Sequence, residues 1–221
     1  MRFVRLLAFA VAAVVLVPFA HADGSPVNMV FTDVNGANDG VYYVSPYTGT
    51  ANGQAVVLFC DDIKNEVYIG EKWTANVTNL GTALSTTNGF ANTRYGGVSG
   101  SPVFSTAAVA YQEAAWLTMQ FASHPSDLVS LQYALWDIMN PESEPTGYGN
   151  VSYWLGQAAG NYSGINAGDF SIYTNTGTLC LTGQVQEFIV RTPEPGSLAL
   201  LLCGILALAA FTSARSRRVT A

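Results

Sequence analysis

Asp127-Leu128-Val129-Ser130-Leu131-Gln132-Tyr133-Ala134-Leu135-Trp136-Asp137-Ile138-Met139-Asn140 is the stretch on which the fold turns. Leu128, Leu131, Leu135, Trp136 and Met139 recur at the spacing of a helix with one apolar face, and Pro141 stops it. Gln132 falls in the middle of that face, while Tyr133 and Asp137 take the opposite side. A primary amide in an apolar stripe costs about 1–3 kcal/mol unless its groups are paired. Gln132 therefore needs a partner elsewhere in the chain.

Immediately upstream, Phe104 to Ala122 lacks Gly and Pro and is dense in Ala, which predicts a long, mostly buried helix before the Pro125-Ser126 break. The chain before this helix pair reads as β-structure. Val27 to Thr32 and Val41 to Val44 are β-branched and aromatic runs separated by the turn-rich 33–40 segment. Gln54 to Cys60 is a continuous apolar run, suited to a strand buried on both faces, and Val67 to Val77 alternates as another strand. Residues 78–102, rich in Gly, Ser, Thr and Asn, have no periodicity and read as an exposed loop. After the pair, 142–150 reads as a loop and Ser152 to Ala159 as a short helix. Phe170 to Thr174 and Gln186 to Val190 read as closing strands. The expectation is one α+β domain of mostly antiparallel strands with a central pair of helices.

Both ends of the 221-residue chain differ from this middle. Arg2 and Arg5 precede an uncharged run from Leu6 to Ala20, and Ala20-His21-Ala22 has small residues where a signal peptidase reads. Residues 1–22 are thus expected to be a secretory signal peptide, leaving an exported domain over 23–192. At the other end, Pro193-Glu194-Pro195 leads into an uncharged stretch, followed by Arg215, Arg217 and Arg218. A helix over about 196–214 is long enough to span a bilayer, with the arginines held in the cytoplasm.

That order of parts resembles the PEP-CTERM sorting tail, carried by surface proteins of Gram-negative bacteria that make exopolysaccharide. The resemblance covers residues 193–221 and implies processing by an exosortase. It implies a precursor anchored in the inner membrane, then a protein of the cell surface or extracellular matrix. Exosortase, and exopolysaccharide or another surface ligand, are the expected partners.

The whole chain is 49% hydrophobic and 11% charged, with a net charge of −6. Without its ends, the domain has Lys64, Lys72, Arg94 and Arg191 against 14 acidic residues, a net charge of −10. Nucleic acid is excluded as a partner, because neutralising phosphate requires a basic surface. All four Trp and all eleven Tyr lie in this domain, which excludes intrinsic disorder.

Cys60 and Cys180 are the cysteines of the domain, Cys203 belonging to the tail. In an exported protein such a pair is expected to form a disulfide, Cys60–Cys180. A second reading starts from the misplaced Gln132. Phe59-Cys60-Asp61-Asp62, with Gln132-Tyr133-Ala134-Leu135-Trp136, resembles the thioester domains of bacterial surface adhesins. In that family an aromatic-Cys-x-Asp element and a Gln-x-Ala-(Ile/Leu)-Trp helix supply the two bonded side chains. Carried over, the resemblance makes Cys60 and Gln132 the ends of an internal thioester that a nucleophile on a target surface displaces. Here Asp61 stands where the family has an apolar residue, while Asp62 keeps the acid two places after the cysteine.

Conventional catalysis has fewer parts. A Cys60/His124 hydrolase is conceivable, but His124 sits in a turn between helices, where exposure is the default. Asp61 and Asp62 alternate across a strand end and read as solvated charges. Asp33, Asn35 and Asp39 could offer oxygens to Ca²⁺, but they do not fit the EF-hand pattern and an Asx-rich turn explains them better. Thr174-x-Thr176-x-Thr178 forms a single threonine row. No cofactor and no metal is expected. The sequence therefore points to a non-enzymatic cell-surface or matrix protein, structural or adhesive, with a covalent thioester adhesin as the alternative and a secreted hydrolase as the distant one.

Overall fold

In the computed structural model, residues 26–98, 106–141, 149–177 and 185–191 are described, together with Gly204. The four ranges belong to one compact unit, His21–Arg191. The expected signal peptide, Cys180, Cys203 and the sorting tail lie outside the described residues. Among the described residues no helix is long and apolar enough to cross a membrane.

Among the described residues, six strands form the sheet: β1 Val27–Asp33, β2 Tyr47–Ala51, β3 Gln54–Cys60, β4 Lys72–Asn79, β5 Phe170–Asn175 and β6 Phe188–Arg191. They close into an antiparallel barrel in the order β1-β2-β3-β6-β5-β4. β1 shows the period-2 pattern of a half-buried strand, with Val27, Met29 and Phe31 inside. The Phe188 ring fills the interior between Phe31, Tyr47 and Trp73, at centroid distances of 6.2, 6.5 and 5.9 Å. Gly49 of β2 lets the strands approach closely: a Cβ there would stand 2.7 Å from the Val30 carbonyl oxygen.

Helices α1 Leu80–Ser85, α2 Ala107–Thr118, α3 Leu128–Met139 and α4 Val151–Asn161 follow, with a π-helical turn at Arg94–Val98 between α1 and α2. Asn79 caps α1 by accepting from the Thr82 amide, and Thr106 caps α2 through the Val109 amide. α3 packs against α2, α4 and β3, and α2 also packs against β6. The expected α+β domain with a helix pair is present, and its sheet closes on itself.

Several segments differ from expectation. Val41–Val44 is not a strand. The Asp39 carboxylate accepts from the Val41 and Tyr42 amides, 2.7 Å each, so a turn takes donors that a ladder would use. β2 instead lies at Tyr47–Ala51, where Thr and Gly obscure the alternation. β3 is buried only at Leu58, Phe59 and Cys60; its first four residues are in part or fully exposed near the β2–β3 hairpin. Residues 67–71 form a turn before β4. The 78–98 part of the expected loop contains α1 and the π-helical turn, with Thr93, Arg94 and Tyr95 buried. α3 is buried on more than one face, Tyr133 included.

The antiparallel register brings the 34–46 and 61–71 connections to one end of the barrel, along with the start of β6 and the end of β5. Cys60 is the last residue of β3 and stands at that end, paired with Phe188.

Candidate functional site

Cys60 and Gln132 meet. Both have no exposed surface. Gln132 projects from the second turn of α3 toward the end of β3. Its Nε2 donates to the Cys60 carbonyl oxygen at 2.7 Å, and its Oε1 accepts from the Ser45 amide at 2.9 Å. The partner that the misplaced amide required is thus the backbone of Cys60, together with the root of the 34–46 connection. Ser45 closes the ring, its Oγ accepting from the Cys60 amide at 2.9 Å.

The thiol lies in the same enclosure. Cys60 Sγ donates to the Asp62 carbonyl oxygen at 3.3 Å and accepts from the Trp136 indole N–H at 3.5 Å. Trp136 stands one turn beyond Gln132, so the Gln-x-x-x-Trp spacing puts the carboxamide and the indole on one helix face above one cysteine. Burial, and next the charge of Asp62, push the thiol well above its ordinary range, so at neutral pH it is S–H rather than thiolate. Among the described residues Cys60 forms no disulfide; Cys180, its expected disulfide partner, is outside them.

Behind the cysteine lies an acidic cluster, of which the sequence reading placed Asp61 and Asp62 in solvent. Asp61, Asp62 and Glu187 have no exposed surface, and Arg94 is almost fully buried among them. Arg94 Nε pairs with Asp62 Oδ2 at 2.7 Å, its guanidinium donates to the Val185 carbonyl oxygen at 2.8 Å, and its amide donates to Glu187 Oε2 at 2.8 Å. Glu187 also accepts from the hydroxyls of Tyr111, at 2.5 Å, and Thr174. Asp62 takes the Lys64 amide and the Asn65 side chain, ordering the turn after β3. Among the described residues, none other donates a hydrogen bond to either oxygen of Asp61. Its desolvation, then the charges of Glu187 and Asp62, push its carboxyl well above the usual range, and burial raises Glu187 as well. One guanidinium cannot balance three buried carboxylates, so Asp61 is held as the neutral acid.

Sequence reasoning missed Ser45, Arg94, Tyr111 and Glu187. Arg94 offered a signal, as one of four basic residues in the domain and the only charge in a Gly/Ser/Thr-rich stretch.

The remaining candidates are elsewhere or differently used. His124 Nδ1 lies 3.1 Å from the Gln120 carbonyl oxygen, and its ring meets Trp154 edge-on at 4.8 Å. The polar neighbours of the Cys60 thiol are Asp62 and Trp136, not His124. Asp33 accepts from the Asn35 amide, and Asp39 accepts from the Tyr133 hydroxyl at 2.5 Å besides its two amides. Thr174 faces Glu187 and Thr176 bonds the Thr74 carbonyl oxygen, so the two do not share an open row; Thr178 is outside the described residues.

No family model matches the chain, and no curated protein matches it. Among solved structures, it is similar to the N-terminal thioester domain of a surface protein from Clostridium perfringens, at 8% identity. That similarity covers 76% of this chain and 99% of the other, with a TM-score of 0.38.

Proposed function

We propose that Cys60 and Gln132 form an intramolecular thioester, and that the chain is an exported, adhesive surface or matrix protein that uses this bond to attach covalently to its target. The observation that carries the reading is the double anchorage of the Gln132 carboxamide, by the Cys60 carbonyl and the Ser45 amide, in the pocket that holds the thiol.

The chemistry follows from that anchorage. The Cys60 sulfur attacks Gln132 Cδ, and negative charge gathers on Oε1. The Ser45 N–H already points at this oxygen, as a donor for a tetrahedral intermediate should. The C–N bond breaks, the thiol proton passes to the nitrogen, and ammonia leaves. Thiol and carboxamide give thioester and ammonia, with no oxidant or reductant. Trp136 and the buried walls exclude the water that would hydrolyse the product. A target amine or hydroxyl then attacks the same carbon and the C–S bond breaks. The target is left joined to Gln132 Cδ by an amide or ester bond, and its proton returns Cys60 to the thiol.

Export and display belong to the proposal too. The signal peptide over 1–22 delivers the domain across the inner membrane. The Pro193-Glu194-Pro195 tail, with Arg215, Arg217 and Arg218, holds it there until an exosortase acts. The domain is then an adhesin or matrix component, not an enzyme with turnover.

Proteolysis without reductant tests the bond: fragments carrying Cys60 and Gln132 stay joined and separate after treatment with methylamine. Fragments that separate untreated reduce Gln132 to a buried, hydrogen-bonded packing residue and leave a non-covalent matrix protein.

A further inference from the structure

The 34–46 connection does more than supply the Ser45 amide. Its root is fixed: Val44 and Ser45 are fully buried, and Asn35 Nδ2 donates to the Pro46 carbonyl oxygen at 2.7 Å. Its tip is a separate turn over Asn38–Tyr43, closed by the Asn38–Tyr43 bridge and by Asp39. Asn35, Gly36 and Gly40 have φ of +55°, +78° and +96°, so the tip is joined through left-handed backbone.

Two contacts seat this tip on α3. Asp39 Oδ2 accepts from the Tyr133 hydroxyl at 2.5 Å, and the Tyr42 ring meets the Trp136 ring edge-on at 5.9 Å. Tyr133 adjoins Gln132 in sequence, and Trp136 donates to the Cys60 sulfur. Tyr42 therefore lies over Trp136, and Trp136 over the thiol. Yet the tip's own outer surface is open, with Val41 74%, Tyr42 46% and Tyr43 54% exposed. The tip is also tied to the barrel at its base by the Tyr47 hydroxyl, which donates to the Tyr43 carbonyl oxygen at 2.6 Å. The exposed remainder, held on α3 by one hydrogen bond and one ring pair, opens locally at far lower cost than the barrel.

We propose that Asn38–Tyr43 is a strap over the Cys60–Gln132 site, latched by Asp39–Tyr133 and Tyr42–Trp136, and that its release sets how fast an external reagent reaches Cys60. The link to covalent attachment rests on the thioester reading; the strap itself concerns access to Cys60 with or without that bond. In the closed position the strap shields the site. Opening uncovers Trp136 and the sulfur beneath it, while the buried root keeps the Ser45 donor on Gln132.

Access to Cys60 tests this in two assays on the full-length chain. The first follows methylamine incorporation at Gln132. The second follows N-ethylmaleimide reaction at Cys60 in a Gln132→Ala background, where no thioester can form, resolved by peptide mass. Tyr133→Phe and Tyr42→Ala should each raise both rates roughly tenfold, because each removes one of the two contacts that seat the strap on α3. Tyr42→Phe, which keeps the ring, should match the parent, as should Tyr153→Ala, an exposed aromatic on α4. The faster rates should depend only slightly on urea, since local opening exposes little surface. Maleimide rates unchanged in both Tyr133→Phe and Tyr42→Ala would overturn the strap, as would acceleration with the steep urea dependence of global unfolding. A chain that incorporates no methylamine but shows the maleimide acceleration keeps the strap and refutes the thioester.

Discussion

Gln132 Nε2 donates to the Cys60 carbonyl oxygen at 2.7 Å, joining the middle of α3 to the last residue of β3 across 72 positions of sequence. The bond resolves the cost of an amide on an apolar face. It also fixes the electrophilic carbon of Gln132 beside the only described cysteine. Ser45 completes the arrangement from a third segment.

Ser45→Ala tests that third segment. The substitution removes the acceptor of the Cys60 amide and leaves a buried N–H unpaired, while keeping the backbone donor to Gln132. Stability should fall by about 1–3 kcal/mol, read as a lower urea midpoint with unchanged slope. An unchanged midpoint would mean that the amide finds another acceptor and that Ser45 does not organise the site.

The acidic cluster makes stability depend on pH. The Asp61 carboxyl is raised by burial, then by Glu187 and Asp62, so the folded state retains a proton that the unfolded chain loses near its ordinary pKa of about 3.9. A folded state that binds more protons loses stability as pH rises. The contribution of Asp61 is therefore full below the ordinary carboxylate range and is lost as pH climbs through the raised value. Asp61→Asn, neutral at every pH, should be more stable than the parent at neutral pH and should flatten the decline of the urea midpoint above about pH 5. A variant less stable than the parent at neutral pH would show that Asp61 is ionised and favourably paired.

Export can be tested separately. Pro193→Ala or Glu194→Ala should leave an unprocessed precursor in the inner membrane, detected by fractionation and immunoblotting. Normal processing in both variants would contradict the sorting-tail reading and leave an ordinary C-terminal anchor.

Local patterns were informative where one element decides its own neighbours. The apolar stripe of α3 exposed Gln132 as out of place, and the continuous run of β3 placed Cys60 at a strand end. Closure of the barrel depends on β6 lying between β3 and β5, a long-range pairing that no local periodicity encodes. Asp61 and Asp62 read as solvated because their counter-charge, Arg94, comes from a stretch without periodicity, and Glu187 joins from the far end of the domain. Val41–Val44 misled for a different reason. Val41, Tyr42 and Tyr43 are exposed on the strap, where Asp39 claims the Val41 and Tyr42 amides, and only Val44 is buried, at the root.

The intact mass of the full-length chain, purified without reductant, bears most directly on the bond between Cys60 and Gln132. Terminal processing is common to all variants, so each is compared with its own sequence over the same ends. The parent should be lighter than its sequence by one ammonia, and Cys60→Ala and Gln132→Ala should each have the full mass. A parent of full mass, or one lighter by only two hydrogens as a disulfide would make it, contradicts the thioester.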